Sequence, residues 1–484
     1  MPLVPFGEWL PDLPEIENPG ALTATNVIPA EGFYRPFPDF EPYSSSLTAR
    51  CRGAFTARDP NGAVNVFACD ATKLYRLTAA STTWSDVSGA TYNTGEFGSF
   101  AQYGDLVVFT NGSDVPQKFD LATPGTFSAL GGSPPTGRFC GVVKDFLVQA
   151  QIVSYRQRTQ WSGFDNAETW TVSAATQSDY QDLVGNGGQV NAFLGGEYGV
   201  VIQERAVTRM DYVGPPTVFQ FTPIEQQRGT RAPGSVAAIG SMAFFLAEDG
   251  FYMFNGAQCV PIGQGKIDKT FLADFDGNYE LRVTSGIDPI NKVYAVAYPG
   301  AGHTSGDPNK ILLLHWPTGR WAIVEKQVQS MFPSAQSFGY TLDSLDGVSG
   351  SVDALPFSLD SVAWAGGSTI FAGFDTSHRF GFFTGSNLAA TLDTREAQLY
   401  NGARGFVTSV RPMVDGGSLT ARCGVRDRYN DSVSFTPVVA QNTIGECPQR
   451  ANARYHRARV GVGAAGTWNK AVGVDFSATQ DGVR

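Results

Sequence analysis

Short runs of β-branched and aromatic residues, separated by Gly, Asn, Asp or Pro turns, return at intervals of roughly 40–50 residues along most of this chain. They include Val66-Phe67-Ala68, Leu106-Val107-Val108-Phe109, Phe146-Leu147-Val148, Val200-Val201-Ile202, Ala243-Phe244-Phe245-Leu246, Val293-Tyr294-Ala295-Val296 and Thr369-Ile370-Phe371-Ala372. Satellite runs such as Lys73-Leu74-Tyr75-Arg76-Leu77 and Thr83-Trp84-Ser85-Asp86-Val87 give three or four short strands per unit. A repeat of that length and content predicts a β-propeller, with a stack of unrelated sandwiches as the competing arrangement. No WD or kelch signature recurs, so the repeat is one of physical pattern. The fold class expected is all-β: a propeller of six or seven blades over residues 51–400, with an additional β-rich domain formed by the chain ends. Composition agrees, because 55 Gly and 28 Pro in 484 residues, with only 17% charged residues, oppose an all-helical fold. Hydrophobic residues at 42% and aromatics at 12% supply a large core, so the low charge does not signal disorder.

The ends differ from the middle. Residues 1–50 form an acidic arm rich in Pro and aromatics, where Pro2, Pro5, Pro11, Pro14 and Pro19 fix an extended path among Trp9, Tyr34, Phe37 and Phe40. Within residues 1–44 seven acids (Glu8, Asp12, Glu15, Glu17, Glu31, Asp39, Glu41) stand against the single base Arg35. Residues 401–484 reverse the balance with eleven Arg or Lys against six acids, and read as a platform-like β domain. In Tyr455 to Val462, a period of two puts Tyr455, Arg457 and Arg459 on one face and His456, Ala458, Val460 and Val462 on the other. The arm's aromatics need a surface to cover, so the arm is expected to pack on the C-terminal domain or on a neighbouring subunit. Trp9, Tyr34, Arg35, Phe37, Arg454, Arg457 and Arg459 are the candidate residues of this clasp or inter-subunit contact. Contact of the basic face with DNA phosphate, with a partner, or with water alone remains open beside it. The long interval before residue 370 carries three seven-residue units, SLDGVSG, SVDALPF and SLDSVAW. Asp343, Asp346, Asp353 and Asp360 mark an insertion at about 326–360, and their spacing suits repeated turns better than a calcium loop.

Little in the chain points to chemistry. His303, His315, His378 and His456 are dispersed, with no metal-ligand spacing, and no nucleotide-binding glycine motif occurs. Cys51, Cys69, Cys140, Cys259, Cys423 and Cys447 form no CxxC pair and read as buried thiols. The sialidase box Ser-x-Asp-x-Gly-x-Thr-Trp is begun by Ser344-Leu345-Asp346-Gly347 and not completed. No catalytic, cofactor or metal site is expected, and the reading is that the chain is not an enzyme. The opening MPLVPFGEWLP lacks the basic and apolar regions of a signal peptide, and no 18-residue apolar run suggests a membrane span. A net charge of −10 opposes a DNA-reading role but suits a passage that DNA must leave quickly.

Several segments resemble a known group. Pro11-Asp12-Leu13-Pro14, Asn18-Pro19-Gly20-Ala21-Leu22, Asn26-Val27-Ile28-Pro29 and Gly32-Phe33-Tyr34-Arg35-Pro36-Phe37-Pro38 do so at the start, followed by Val66-Phe67-Ala68 and Thr72-Lys73-Leu74-Tyr75. With the stretch from Leu342 to Asp360 and the ending from Trp468 to Phe476, they are similar to the tail hub or nozzle (packaged-DNA-stabilisation) proteins of short-tailed bacteriophages. The resemblance implies a β-propeller subunit in a hexameric ring below the portal adaptor protein, in the virion tail and assembled in the host cytoplasm. It implies docking of tail fibres, non-specific passage of double-stranded DNA during genome ejection, and no catalysis. The channel is then expected to be acidic or mixed, with the 326–360 insertion as its constriction. The chain lacks a long basic stretch, which leaves the fibre-docking site unassigned. The alternative function is a glycan-binding or glycan-cleaving propeller used in host adsorption.

Overall fold

The computed structural model describes residues 3–482 apart from 17, 80 and 340–368, within the last of which only Ser349, Ser351 and Leu355 are described. Almost all regular structure is β, and the described helices are one α-helix, Asp268–Asp274, and two 3-10 turns. Five separate four-stranded antiparallel sheets are each built from consecutive strands, spanning residues 53–86, 99–129, 137–182, 190–225 and 237–261. A sixth set of four, residues 284–324, follows the same order within a larger sheet. The seventh sheet takes Ser330–Met331, Ala372–Phe374 and Arg379–Asn387 from this end of the chain and its fourth strand, Pro38–Ser46, from the arm. The arrangement is all-β and propeller-like. The second strands are the deepest, as the fully buried runs Val64–Cys69 and Val293–Tyr298 show, while outer strands such as Ser85–Asp86 are short and exposed. Short, polar outer strands leave little unpaired edge for a stray chain to join.

Residues 326–339 do not project as an insertion, because Ser330–Met331 opens the seventh sheet and is buried there. Asp343, Asp346, Asp353 and Asp360 lie outside the described residues.

The chain's end forms two further sheets with the arm woven through both. In one, Ala471–Asp481 pairs with Arg404–Val414 on one side and with Val4–Pro5 and Tyr34 on the other. In the other, Thr23–Thr25 joins Arg320–Val324 of the sixth set in parallel and Ala390–Asp393 antiparallel. Ala390–Asp393 then pairs with Tyr455–Val462, and that with Leu419–Arg426, giving one eleven-stranded sheet. A single core follows it, running from Phe244, Phe251 and Trp321 through Ala24 and Val27 to Val407, Val460, Trp468 and Phe476. The arm's strand therefore removes any apolar gap between propeller-like body and C-terminal domain. Gly20 sits at the tightest crossing of the arm on itself, where an added Cβ would lie 1.9 Å from the Glu8 carbonyl oxygen.

Candidate functional site: a buried joint between the chain ends and an axial cavity

The extended path that the prolines impose leaves most arm backbone groups to be satisfied by other elements. Trp9, Tyr34 and Phe37 are all buried within the same chain. Asp12 accepts the Lys269 and Thr270 N–H groups at the start of the α-helix at 2.9 and 2.8 Å, and Glu8 pairs with Lys266 at 2.6 Å. Arg35 donates to Asn291 and Lys326 pairs with Asp39. The strongest anchor is Arg320, on the outer strand of the sixth set and 8% exposed. Its guanidinium donates to the carbonyls of Ala30 at 3.0 Å, Phe6 at 2.9 Å and Gly7 at 2.8 Å, and stacks 4.5 Å from the Tyr34 ring centre. The Tyr34 hydroxyl donates to the same Gly7 carbonyl. A rigid fork whose two terminal nitrogens reach three carbonyls while its flat face stacks on a ring is what this site needs, and no other side chain supplies it. Sequence patterning gave no signal for Arg320, since Arg320-Trp321-Ala322 reads as any strand end.

Of the three basic residues assigned to the clasp, only Arg457 meets the arm, pairing with Glu15 at 2.9 Å. Arg459 is held in a two-pronged pair by Asp393, both contacts at 2.6 Å, and Arg454 is exposed, with its backbone N–H on Asp427. Arg426, which the sequence reading passed over, joins the two ends instead: Glu396 accepts from it at 2.7 Å and Glu15 lies at 3.6 Å. The basic face is also not solvated. His456, Ala458, Val460 and Val462 turn into the core as the period of two requires, but Arg457 is buried as well. Phe435, from the strand beside Leu419–Arg426, covers that face, with Arg422, Arg457 and Arg459 at 4.4, 5.1 and 4.7 Å from its ring centre. A nonlocal aromatic lid is invisible to alternation within one strand.

The two acids on Arg426 differ in burial, and so in expected weight. Glu396 is 2% exposed in its side chain, whereas Glu15 is 48% exposed. Glu15→Gln is expected to lower stability by less than ~1 kcal/mol. Glu396→Gln is expected to lower it by about 3 kcal/mol, the low end for breaking a buried pair because Glu15 stays. Urea unfolding of both variants measures the difference, and equal losses would contradict this ordering.

A second feature lies where the first strands of all seven sets meet. They and their lead-in residues line one cavity of about 400 Å³, walled by apolar groups such as Phe100, Val142, Phe193, Val236 and Phe332. At its edge Arg50 and Arg282 alternate with Glu96 and Asp307 in a closed square of ion pairs at 3.3–3.4 Å. Burial, and next the Arg282 charge, lower the Arg50 pKa.

Burial pushes the Cys51, Cys140 and Cys423 thiols up to about 12, so none is a ready nucleophile. Burial lowers the pKa of His456, which packs as a neutral core group. Among the described residues no group of three or more His, Cys, Asp and Glu is placed to hold a metal, and no helix is long and apolar enough to cross a membrane.

Asp268 titrates with a measurable consequence. It is 7% exposed and accepts from the Phe251 N–H at 3.1 Å. Burial pushes its carboxyl up to about 6, against the lowering effect of that N–H and with help from Asp12 and Asp249. A folded pKa above the unfolded value of about 3.9 gives stability that is complete below pH ~4 and lost as pH rises through 6. Asp268→Asn is therefore expected to gain on the wild type by about 2 kcal/mol as pH rises from 4.5 to 8. Unfolding curves at the two pH values read this directly, and a pH-independent difference would contradict it.

No family model matches the chain, and no curated protein matches it.

Proposed function

We propose that the chain is a closed seven-bladed β-propeller with a fused C-terminal platform, serving as the subunit of a tail nozzle or hub in a short-tailed phage. It assembles as a homohexameric ring beneath the portal adaptor, retains packaged DNA and conducts it during ejection. Support for closure comes from the seam between the last and first sheets. Gln329 accepts from the Cys51 N–H at 3.1 Å, and Arg58 donates to Gln336 at 2.8 Å. The strand donated by the arm to the seventh sheet acts as the latch.

The observation that carries the functional reading is the rigid joint. An eleven-stranded sheet and one continuous core bind propeller, arm and platform into a block without a soft hinge, which suits a conduit under load. The sequence resemblance points the same way. A duplex has a major groove alone about 12 Å wide, so it does not fit a 400 Å³ axial cavity walled by Phe side chains. DNA then passes between subunits, through the middle of a ring, because each propeller axis holds only that small apolar cavity. The net charge of −10 favours release over retention by phosphate contacts.

Light scattering on the purified chain, alone and mixed with the portal adaptor, tests this. The expected mass is six times the 51.8 kDa of one chain, free or on the adaptor. A persistent monomer that cleaves host polysaccharide would replace this reading with the adsorption enzyme.

A further inference from the structure

Between the second and third sheets lies a hollow of about 300 Å³, within the size range of small-molecule sites, with Arg138 and Arg156 on its wall. Arg138 is half-buried, and among the described residues its guanidinium has only the Phe139 ring, 5.7 Å away, as a favourable contact. The charge felt most by Arg138 is the like charge of Arg156, which adds to burial in lowering its pKa. Arg156 donates to Gln189 at 3.1 Å and has no carboxylate partner among the described residues. The acids nearby turn elsewhere: Asp114 accepts from Asn93 and Asn111 through one oxygen, both at 2.7 Å, and Asp182 is held by Arg158 through two contacts. Two guanidiniums aimed at one hollow without an acid cost stability unless a ligand supplies the anion.

The backbone is bent to form the same wall. The pairing of Phe146–Ile152 with Tyr155–Trp161 slips between Ala150 and Ile152, and Gln151 takes a φ of +54° there. Such a bulge re-aims a side chain at a cost in strain, and it puts Gln151 on the hollow's lining, its amide nitrogen donating to Asn191 at 3.3 Å and leaving the amide oxygen for a ligand. Gly112 lies opposite, where an added Cβ would come 3.2 Å from that of Arg138. Beyond Arg156 a second hollow of about 450 Å³ continues along Tyr155, Gln157 and Gln189. Cations, amides and an exposed aromatic in sequence match a carboxylate followed by hydroxyls on a ring. A bare phosphate leaves the amides and the ring unused, and a polyanionic duplex is opposed by the chain's net charge of −10.

We propose that this groove binds an acidic saccharide unit, its carboxylate bridging Arg138 and Arg156 and its hydroxyls meeting the amides of Gln151 and Gln189. The site stands whether or not the chain forms a ring. The test is calorimetric titration and thermal shift of the full chain with galacturonic, glucuronic and N-acetylneuraminic acids, and with neutral galactose, inorganic phosphate and a short DNA duplex. At least one acidic sugar is expected to bind saturably and raise the melting temperature, with galactose inert. Arg138→Gln is expected to weaken that binding at least tenfold while the unliganded variant melts no lower than the wild type, because an unpaired cation has been removed. Arg156→Gln, on an exposed side chain, is expected to weaken binding without touching the fold. The proposal is overturned if no acidic sugar binds, if galactose binds equally, if only phosphate or the duplex binds, or if both variants keep wild-type affinity.

Discussion

Removal of residues 1–46 is expected to leave a chain that no longer folds cooperatively and is recovered mainly as aggregate. The deletion strips Phe6, Trp9, Tyr34, Phe37 and Tyr43 from the core, each at most 7% exposed. At about 1.5–3 kcal/mol for each buried side chain, the loss is of order 10 kcal/mol. That rivals the whole margin of a typical domain, about 5–15 kcal/mol. It also uncovers the Arg379–Asn387 strand, which pairs with Pro38–Ser46 from Arg379 opposite Ser46 to Asn387 opposite Pro38. An uncovered inner edge with Phe380, Phe382 and Phe383 buried beside it is a template for intermolecular pairing. Co-expression of residues 1–46 as a separate peptide is expected to restore soluble protein. Soluble yield and a thermal melt measure both effects. A truncated chain that stays soluble and melts as the wild type would show that the arm is an accessory and not a structural member.

The second large effect is expected at Arg320. Arg320→Met keeps the apolar stem but leaves the carbonyls of Phe6 and Ala30 without this donor and removes the guanidinium from the Tyr34 ring. Two orphaned carbonyls at about 1–3 kcal/mol each and a desolvated cation–π contact near 2 kcal/mol give a loss of about 4–8 kcal/mol. The Gly7 carbonyl keeps the Tyr34 hydroxyl and does not add to it. Arg320→Lys is expected to recover less than half, because one ammonium cannot reach three carbonyls lying in different directions. Chemical denaturation of both variants reads the two losses. Full recovery by lysine would mean that charge alone matters at this position, against the fork geometry described above.

Arg320 also marks the boundary of what the amino-acid sequence discloses. Alternation and turn residues locate most strands, because each depends on neighbours within a few residues. The prolines of residues 1–50 likewise fix an extended arm, a local property. Where an extended segment inserts depends on partners hundreds of residues away, as with Thr23–Thr25 beside Ile323 and Leu392. Seven acids in the arm were equivalent in sequence, and only the fold selects Glu15 for Arg457 and Arg426. Alternation puts Arg457 and Arg459 on one face, yet Phe435 closes over that face and makes it an interior. Arg138 and Arg156 were unremarked because an absent carboxylate partner leaves no trace in a sequence.

In the role we propose, the chain forms a ring whose central opening, and not the propeller axis, carries the DNA. Electron cryo-microscopy of the purified chain, alone and mixed with the proposed portal adaptor, measures this most directly. The expected image has six copies around an opening wide enough for a duplex, with seven blades per copy and each propeller axis too narrow for one. Isolated monomers, or a particle in which the only continuous opening runs through the blades of one subunit, would contradict it.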